Sequence, residues 1–173
     1  MTLKEKLINS IDSYPDFPKK DILFKDLLPV LRDVELFQSI SKEMAMLDAV
    51  KNSEALIAID ARGFIFGTSI SLISKKPLIL ARKPGKLPGE VISNSYDLEY
   101  GSNTLCIQKK SINNYTKFCI IDDLLATGGT ASSVEKMLSL NDKIITGLVV
   151  VVELIKLKGN LRLNCGVDSI IKF

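Results

Sequence analysis

The chain has 173 residues, enough for one domain, or one with a small appendage, built around a sizeable core. Hydrophobic residues at 46% and charged residues at 25% are ordinary globular values, which excludes disorder and low complexity. A net charge of +3, spread along the chain, does not predict nucleic-acid binding and suits a small anionic substrate. Histidine is absent, which removes the commonest general base and the commonest transition-metal ligand, so proton transfer falls to Asp, Glu, Lys or Tyr. Cys106, Cys119 and Cys165 lie far apart in apolar or strand-like contexts with no Cys-x-x-Cys pair, which reads as buried thiols of a reduced cytosolic protein. The amino terminus lacks an apolar signal core. The longest apolar run, residues 147–155, is interrupted by Glu153 and too short to span a bilayer, so a soluble cytoplasmic protein that engages no membrane is expected.

Thr2 and Glu5 have capping-box spacing, and Leu3, Leu7, Ile8 and Ile11 follow as a helical stripe, so a first helix is expected to stop before Pro15. Residues 14–29 hold three prolines, three aromatics and no sustained period, and are expected to be ordered but irregular; a connector packed by its own aromatics is the plainest reading. Phe37, Ile40, Met44 and Leu47 step by three and four, predicting a second amphipathic helix over about residues 33–50. Residues 55–59 predict a buried strand that ends in Asp60-Ala61-Arg62-Gly63-Phe64. There an Arg-Gly pair could bind an anion through a bidentate guanidinium and free N–H groups, or be an exposed arginine beside a turn glycine. Residues 77–81 predict a third strand. The segment after it, Arg82-Lys83-Pro84-Gly85-Lys86-Leu87-Pro88-Gly89, packs three cations, two prolines and two glycines into eight residues. It reads as a mobile basic loop, either a solvated surface turn or a lid that excludes water. Alternation over residues 91–100, with Leu105 and Ile107 returning, predicts a hairpin in which Glu99 could be a plain exposed strand acid.

Residues 118–130, FCIIDDLLATGGT, are the stretch around which the rest is organised. Phe118, Cys119, Ile120 and Ile121 read as a strand buried on both faces. Asp122 and Asp123 stand at its carboxyl end, and Leu124 and Leu125 lead into the small-residue loop Ala126-Thr127-Gly128-Gly129-Thr130. Val134, Met137 and Leu138 then mark a helix. This order turns backbone N–H groups and a positive dipole end towards an anion. Carboxylates beside a phosphate would repel it unless something neutral or cationic lay between. A sugar-phosphate meets this need, with its phosphate in the loop and its hydroxyls donating to the acids; an ordinary strand-turn-helix with solvated acids would use the same letters. The loop lacks the Gly-Lys-Ser/Thr ending of a nucleotide triphosphatase and the three-glycine spacing of a dinucleotide fold. Residues 144–152 predict another apolar strand, 154–164 a short helix or turn broken at Gly159, and 168–173 a last edge strand. Strands alternating with helices predict an α/β fold of one domain over residues 1–173, with a parallel-centred sheet and the active site at the carboxyl ends of its strands.

A hydrophobic strand followed by DDLLATGGT resembles the phosphoribosyl-pyrophosphate signature of the type I phosphoribosyltransferases, in the version found in the adenine phosphoribosyltransferases. Residues 14–29, Asp-Ala-Arg-Gly-Phe, the basic loop and YDLEYG resemble other parts of that family in family order, so the resemblance spans about residues 14–157. It implies the type I phosphoribosyltransferase fold, a mostly parallel central sheet flanked by helices, with a small hood over about residues 14–30 and a flexible β-hairpin lid over about residues 82–103. It implies purine salvage, by transfer of the phosphoribosyl group from 5-phosphoribosyl 1-pyrophosphate to N9 of adenine, giving AMP and pyrophosphate. A homodimer is implied as well, with Mg²⁺ held by substrate oxygens and water rather than by a protein cluster.

Carried over residue by residue, ribose 5-phosphate would lie on Asp122, Asp123, Ala126, Thr127, Gly128, Gly129 and Thr130. Pyrophosphate would meet Ala61, Arg62, Arg82, Lys83 and Lys86, with Arg82 or Lys83 reaching towards a neighbouring subunit. Adenine would lie against Leu23, Phe24, Lys25, Arg62, Leu124 and Glu99, with Glu99 and Arg62 as the catalytic residues, Glu99 facing N7 as the acid/base and Tyr100 beside it. Lys20-Asp21 stands where the family usually has Pro-Gly, and Lys25 where it usually has Arg. Members often hold a non-proline cis peptide in the Asp60 to Phe64 loop. Two other readings remain. The hood and YDLEYG argue against a phosphoribosyltransferase for hypoxanthine, guanine or a pyrimidine, and the intact lid and Glu99 argue against a non-catalytic regulator that senses phosphoribosyl pyrophosphate.

Overall fold

In the computed structural model, which describes residues 1–97 and 102–173, helix α1 (Leu3–Ser10) begins at the capping box its spacing predicts. The Thr2 hydroxyl accepts from the Glu5 N–H, and the Glu5 carboxylate accepts from the Thr2 N–H. Leu7 and Ile11 turn into the core, while Ile8 stays exposed.

Residues 12–26 are more regular than expected. Strands β1 (Asp12–Pro15) and β2 (Leu23–Asp26) pair antiparallel as a separate ribbon, with Tyr14 opposite Phe24. At four residues each, these strands are too short for a period of two to register in the sequence. Their connection contains a cis Phe17–Pro18 bond and two residues at positive φ, Asp16 (56°) and Asp21 (66°). Asp21 occupies the place where the family resemblance expects glycine, and aspartate is one of the few side chains that tolerates the left-handed region. Its N–H donates to the Asp16 carboxylate at 2.8 Å, which fixes the turn.

The single helix expected over residues 33–50 is divided. A short α2 (Leu28–Arg32) leads to α3 (Val34–Ala45), capped by the Asp33 carboxylate accepting from the Leu36 N–H at 3.0 Å, and then to α4 (Asp48–Lys51). The break falls at Leu47, whose extended backbone (φ −66°, ψ 146°) lets its side chain keep to the core. The rest of the chain runs β3 (Ala55–Ile59), α5 (Gly63–Ser74), β4 (Leu78–Ala81), β5 (Val91–Asp97), β6 (Ser102–Gln108), α6 (Lys109–Ile112), β7 (Lys117–Ile121), β8 (Leu124–Leu125), α7 (Gly129–Ser139), β9 (Ile144–Glu153) and β10 (Val167–Lys172). Between β9 and β10, where a short helix or turn was expected, stand two 3₁₀ turns, Ile155–Leu157 and Gly159–Arg162.

Among the described residues the central sheet has six strands, all parallel, in the order β10-β9-β7-β3-β4 with short β8 beside β9. β10 lies at the edge, as predicted. Every residue of β3 and residues 118–121 of β7 are buried, because helices cover both faces. On one face Leu56, Cys119, Ile121 and Val151 pack against Leu7, Ile40, Met44, Phe66 and Ile70. On the other, Ile57, Ile120 and Val150 pack against Val134, Met137 and Leu138 of α7 and Leu105 and Ile107 of β6. The predicted hairpin is present, β5 pairing β6 antiparallel from Val91 opposite Gln108 onward. Among the described residues no helix is long and apolar enough to cross a membrane.

The strained turn at Asp21 gives a direct test. Asp21→Gly should leave the melting temperature at or above the parent value, whereas Asp21→Val should cost about 1–2 kcal/mol in urea unfolding, because a β-branched side chain carries the full left-handed penalty.

Candidate active site

Strands β3 and β7 are neighbours, with Ala58 opposite Ile121, so the loops leaving their carboxyl ends meet. The junction has no room for a side chain at Gly63: a Cβ there would stand 2.9 Å from Asp122 Oδ1 and 3.0 Å from the Ile121 carbonyl oxygen. Glycine at this point lets the first turn of α5 close on the acid pair, and the Asp60–Ala61 bond before it is cis, as the family resemblance anticipates.

Arg62, immediately ahead of α5, links two parts of the site. Its Nε lies 2.6 Å from Asp123 Oδ2, and its guanidinium stands 5.6 Å from the centroid of the Phe24 ring in the β1–β2 ribbon. Asp123 is only 4% exposed, and its Oδ2 has no aligned hydrogen bond among the described residues, so the ion pair is what compensates it. Asp122 Oδ1 accepts the Asp123 N–H at 2.9 Å. Burial, and then the adjacent Asp123 carboxylate, push the Asp122 carboxyl well above the usual carboxylate range. Two crowded acids of this kind are suited to receive hydroxyl donors and to favour positive charge next to them.

The small-residue loop behaves as a cradle. Gly128, at φ 82°, opens α7 with no side-chain cap, which leaves the N–H groups of the first turn available to an anion. A cavity of about 90 Å³ lies against it, bordered by Asp122, Leu124, the loop itself and, from the sheet, Leu148 and Val150. From behind, the loop is set by Gly159, where a Cβ would come within 2.2 Å of the Ala126 carbonyl oxygen. The same segment is fastened to α7 by Glu135, whose buried carboxylate accepts the Asn164 and Cys165 N–H groups at 3.0 and 2.7 Å. In the sequence Gly159 marks only a break. The available signal was a glycine soon after the strand that neighbours the signature strand. Thr130, the second residue of α7, donates its hydroxyl to Tyr96 Oη of β5 at 3.2 Å.

The structure therefore brings together Phe24, Arg62, Asp122, Asp123, Leu124 and residues 126–130, with Ala61 at the cis bond. Leu23 is exposed at the start of β2. Lys25, the residue after Phe24, takes the opposite face of β2: its Nζ donates to Ser13 Oγ at 2.9 Å and lies 4.2 Å over the Phe173 ring. Arg82, expected as a candidate to reach a neighbouring subunit, is turned onto its own chain. Its backbone pairs with Cys106, its Nε lies 3.4 Å from Asp60 Oδ2, and its guanidinium stands 5.7 Å from the Phe64 ring. Lys83 and Lys86 are exposed on the loop that follows. Glu99 and Tyr100 lie outside the described residues.

No family model matches the chain. An adenine phosphoribosyltransferase of Prochlorococcus marinus (strain MIT 9515) is 52% identical over 171 residues, covering 99% of this chain and 100% of its own. One of Mycoplasmopsis synoviae (strain 53) is 44% identical over 160 residues, 91% and 94% of the two chains. The crystal structure of adenine phosphoribosyltransferase from Thermoanaerobacter pseudethanolicus ATCC 33223 matches with a TM-score of 0.90 at 39% identity, over 99% of this chain and 100% of that one. The enzyme from Saccharomyces cerevisiae, complexed with D-2,5-dideoxy-2,5-imino-altritol 1,6-bisphosphate and adenine, matches with a TM-score of 0.88 at 32% identity over 98% of both chains. The parallel sheet, with acid pair and small-residue loop at its strand ends, is the fold of the type I phosphoribosyltransferases. Within that class the chain belongs to the adenine phosphoribosyltransferase family.

The crowding of the acids has a thermodynamic consequence. A carboxyl whose pKa is raised on folding makes the native state bind more protons, so its contribution to stability falls as pH rises from its ordinary value near ~4 through the raised one. Asp122→Asn removes this cost while keeping an acceptor for the Asp123 N–H. It should raise the melting temperature at neutral pH by roughly 2–4 °C, with the gain shrinking towards acid pH in parallel thermal scans.

Proposed function

We propose that the protein is a purine-salvage enzyme that transfers the phosphoribosyl group of 5-phosphoribosyl 1-pyrophosphate to N9 of adenine, giving AMP and pyrophosphate. The observation that carries this reading is Arg62 spanning the acid pair and the aromatic ribbon, 2.6 Å from Asp123 and 5.6 Å from the Phe24 ring, so that a sugar site and a flat-ring site share one cation.

In this reading the 5-phosphate takes the N–H groups of Ala126, Thr127, Gly128, Gly129 and Thr130, and the ribose hydroxyls donate to Asp122 and Asp123. The base lies against Phe24 and Leu124, its edge read by the main chain at Leu23 and Lys25 in a hood of about residues 14–30. The bond from C1′ to pyrophosphate breaks, its electron pair leaving with the pyrophosphate oxygen, and N9 forms the new bond to C1′. Positive charge builds on the ribose during this exchange, and the two aspartates favour it. Ala61 and Arg62, with Arg82, Lys83 and Lys86 from a lid of about residues 82–103, hold the departing anion, and Glu99 takes the imidazole proton. Hard oxygen donors suit magnesium, and the acids facing the ribose hydroxyls fit an ion carried by substrate oxygens and water, where it would neutralise pyrophosphate charge. A cytoplasmic homodimer completes the proposal. The unbridged cysteines support the compartment, and the exposed apolar residues Ile65, Leu72 and Ile73 on α5 support a second copy as partner.

The test is pyrophosphate release from phosphoribosyl pyrophosphate and Mg²⁺ with each base in turn. Release with adenine alone is expected; release with hypoxanthine or guanine would reassign the base, and none with any base would point to a regulator. Because a preorganised charge contact is worth about 3–4 kcal/mol, Glu99→Ala and Asp123→Ala should each lose on the order of a hundredfold in kcat. Near-normal turnover in both variants would overturn these roles.

A further inference from the structure

We infer that Tyr96 is a positioning residue for the 5-phosphate of the sugar substrate, acting through the Thr130 hydroxyl, and that it couples phosphate binding to the β5–β6 hairpin. The inference rests on the proposed function and adds to it a residue outside the loop.

Alternate residues of β5 divide between two faces: Ile92, Asn94 and Tyr96 are half-buried, while Val91, Ser93 and Ser95 are exposed. The inner face lies on the first turns of α7. Asn94 Nδ2 donates to Ser133 Oγ at 3.0 Å, the Ser133 hydroxyl donates to the Asn94 carbonyl at 3.2 Å, and the Thr130 hydroxyl donates to Tyr96 Oη at 3.2 Å. Thr130 and Ser133 are three residues apart and so share one face of the helix. The hairpin is thus tied to the turn whose uncapped N–H groups form the cradle, and one tie ends on a hydroxyl of the cradle itself.

A hydroxyl has a single hydrogen, and a phosphate dianion can only accept. When phosphate enters the loop, Thr130 turns its hydrogen from Tyr96 to the phosphate. The phenol has a hydrogen of its own, so the contact reverses instead of breaking, as Tyr96 O–H to Thr130 Oγ1 and Thr130 O–H to phosphate. Successive hydrogen bonds in such a chain polarise one another, which strengthens the one that reaches the ligand. Asn94 and Ser133 hold the strand in place whichever way the chain runs. The Tyr96 ring also packs against the core between the sheet and α7, so removal of the hydroxyl alone leaves the packing intact.

Ribose 5-phosphate and inorganic pyrophosphate separate the two halves of the substrate. In calorimetric titrations of the full chain, Tyr96→Phe should bind ribose 5-phosphate about fivefold to tenfold more weakly and pyrophosphate within about twofold of the parent. The loss should persist in a Thr130→Ser background, which keeps the hydroxyl, and vanish in Thr130→Val, which lacks it. Unchanged ribose 5-phosphate affinity in Tyr96→Phe overturns the inference. An equal loss for both ligands also overturns it, since that marks Tyr96 as an anchor of the hairpin only. If the parent chain itself fails to bind ribose 5-phosphate, the proposed function falls with it, whereas parent binding without a Tyr96 effect removes the inference alone.

Discussion

Two carboxylates lie side by side at the end of a strand buried on both faces, and the Arg62 guanidinium meets one of them, Asp123, at 2.6 Å. Charges out of water are costly, and a lone cation beside two acids offsets only part of that cost. Burial and the adjacent Asp123 carboxylate leave the Asp122 carboxyl raised well above its ordinary range. Arg62 also lies over Phe24, so the balance of the acid pair and the placing of the aromatic ribbon depend on the same side chain. Removal of Arg62 would leave Asp123 buried without compensation and the ribbon without its inner contact.

Topology makes this meeting possible. Side-by-side parallel strands deliver their following loops to the same edge, so β3 and β7 bring residues 60–64 and 122–130 together although about sixty positions separate them in sequence. The approach leaves no room for a side chain at Gly63 against Asp122, and the turn behind the loop leaves none at Gly159 against Ala126 or at Gly128 against Gly159. The cradle is held from three directions: the sheet beneath it, the 3₁₀ turn behind it, and the hairpin, which bonds Thr130 through Tyr96 and α7 through Asn94.

The parts legible in the sequence are those where a local pattern repeats for long enough. β3, β7, β9 and α7 show unbroken apolar runs or clear three-and-four spacing, and α1 announces itself through Thr2 and Glu5. The β1–β2 ribbon did not register, since strands of four residues, without a buried position between them, have no period to read. The interruption at Leu47 was equally hidden, because its side chain satisfies the helical stripe from a non-helical backbone. DDLLATGGT and Asp-Ala-Arg-Gly-Phe marked the candidate site, but the pairing of Arg62 with Asp123 and Phe24 is a long-range fact that no spacing encodes. The same holds for Gly159 and Tyr96, whose importance comes only from what the fold sets against them.

The ribbon of residues 12–26 has one further consequence. Its strands pair with each other and not with the central sheet, so its pairing does not depend on the sheet. It is also continuous in sequence, and it meets the acid pair through one side chain, Arg62. Such a piece can change letter by letter with little disturbance to the acid pair and the small-residue loop. In the proposed reading, where this ribbon faces the base, exchange of a segment of about fifteen residues would change the base contacts while the central sheet keeps its own pairing.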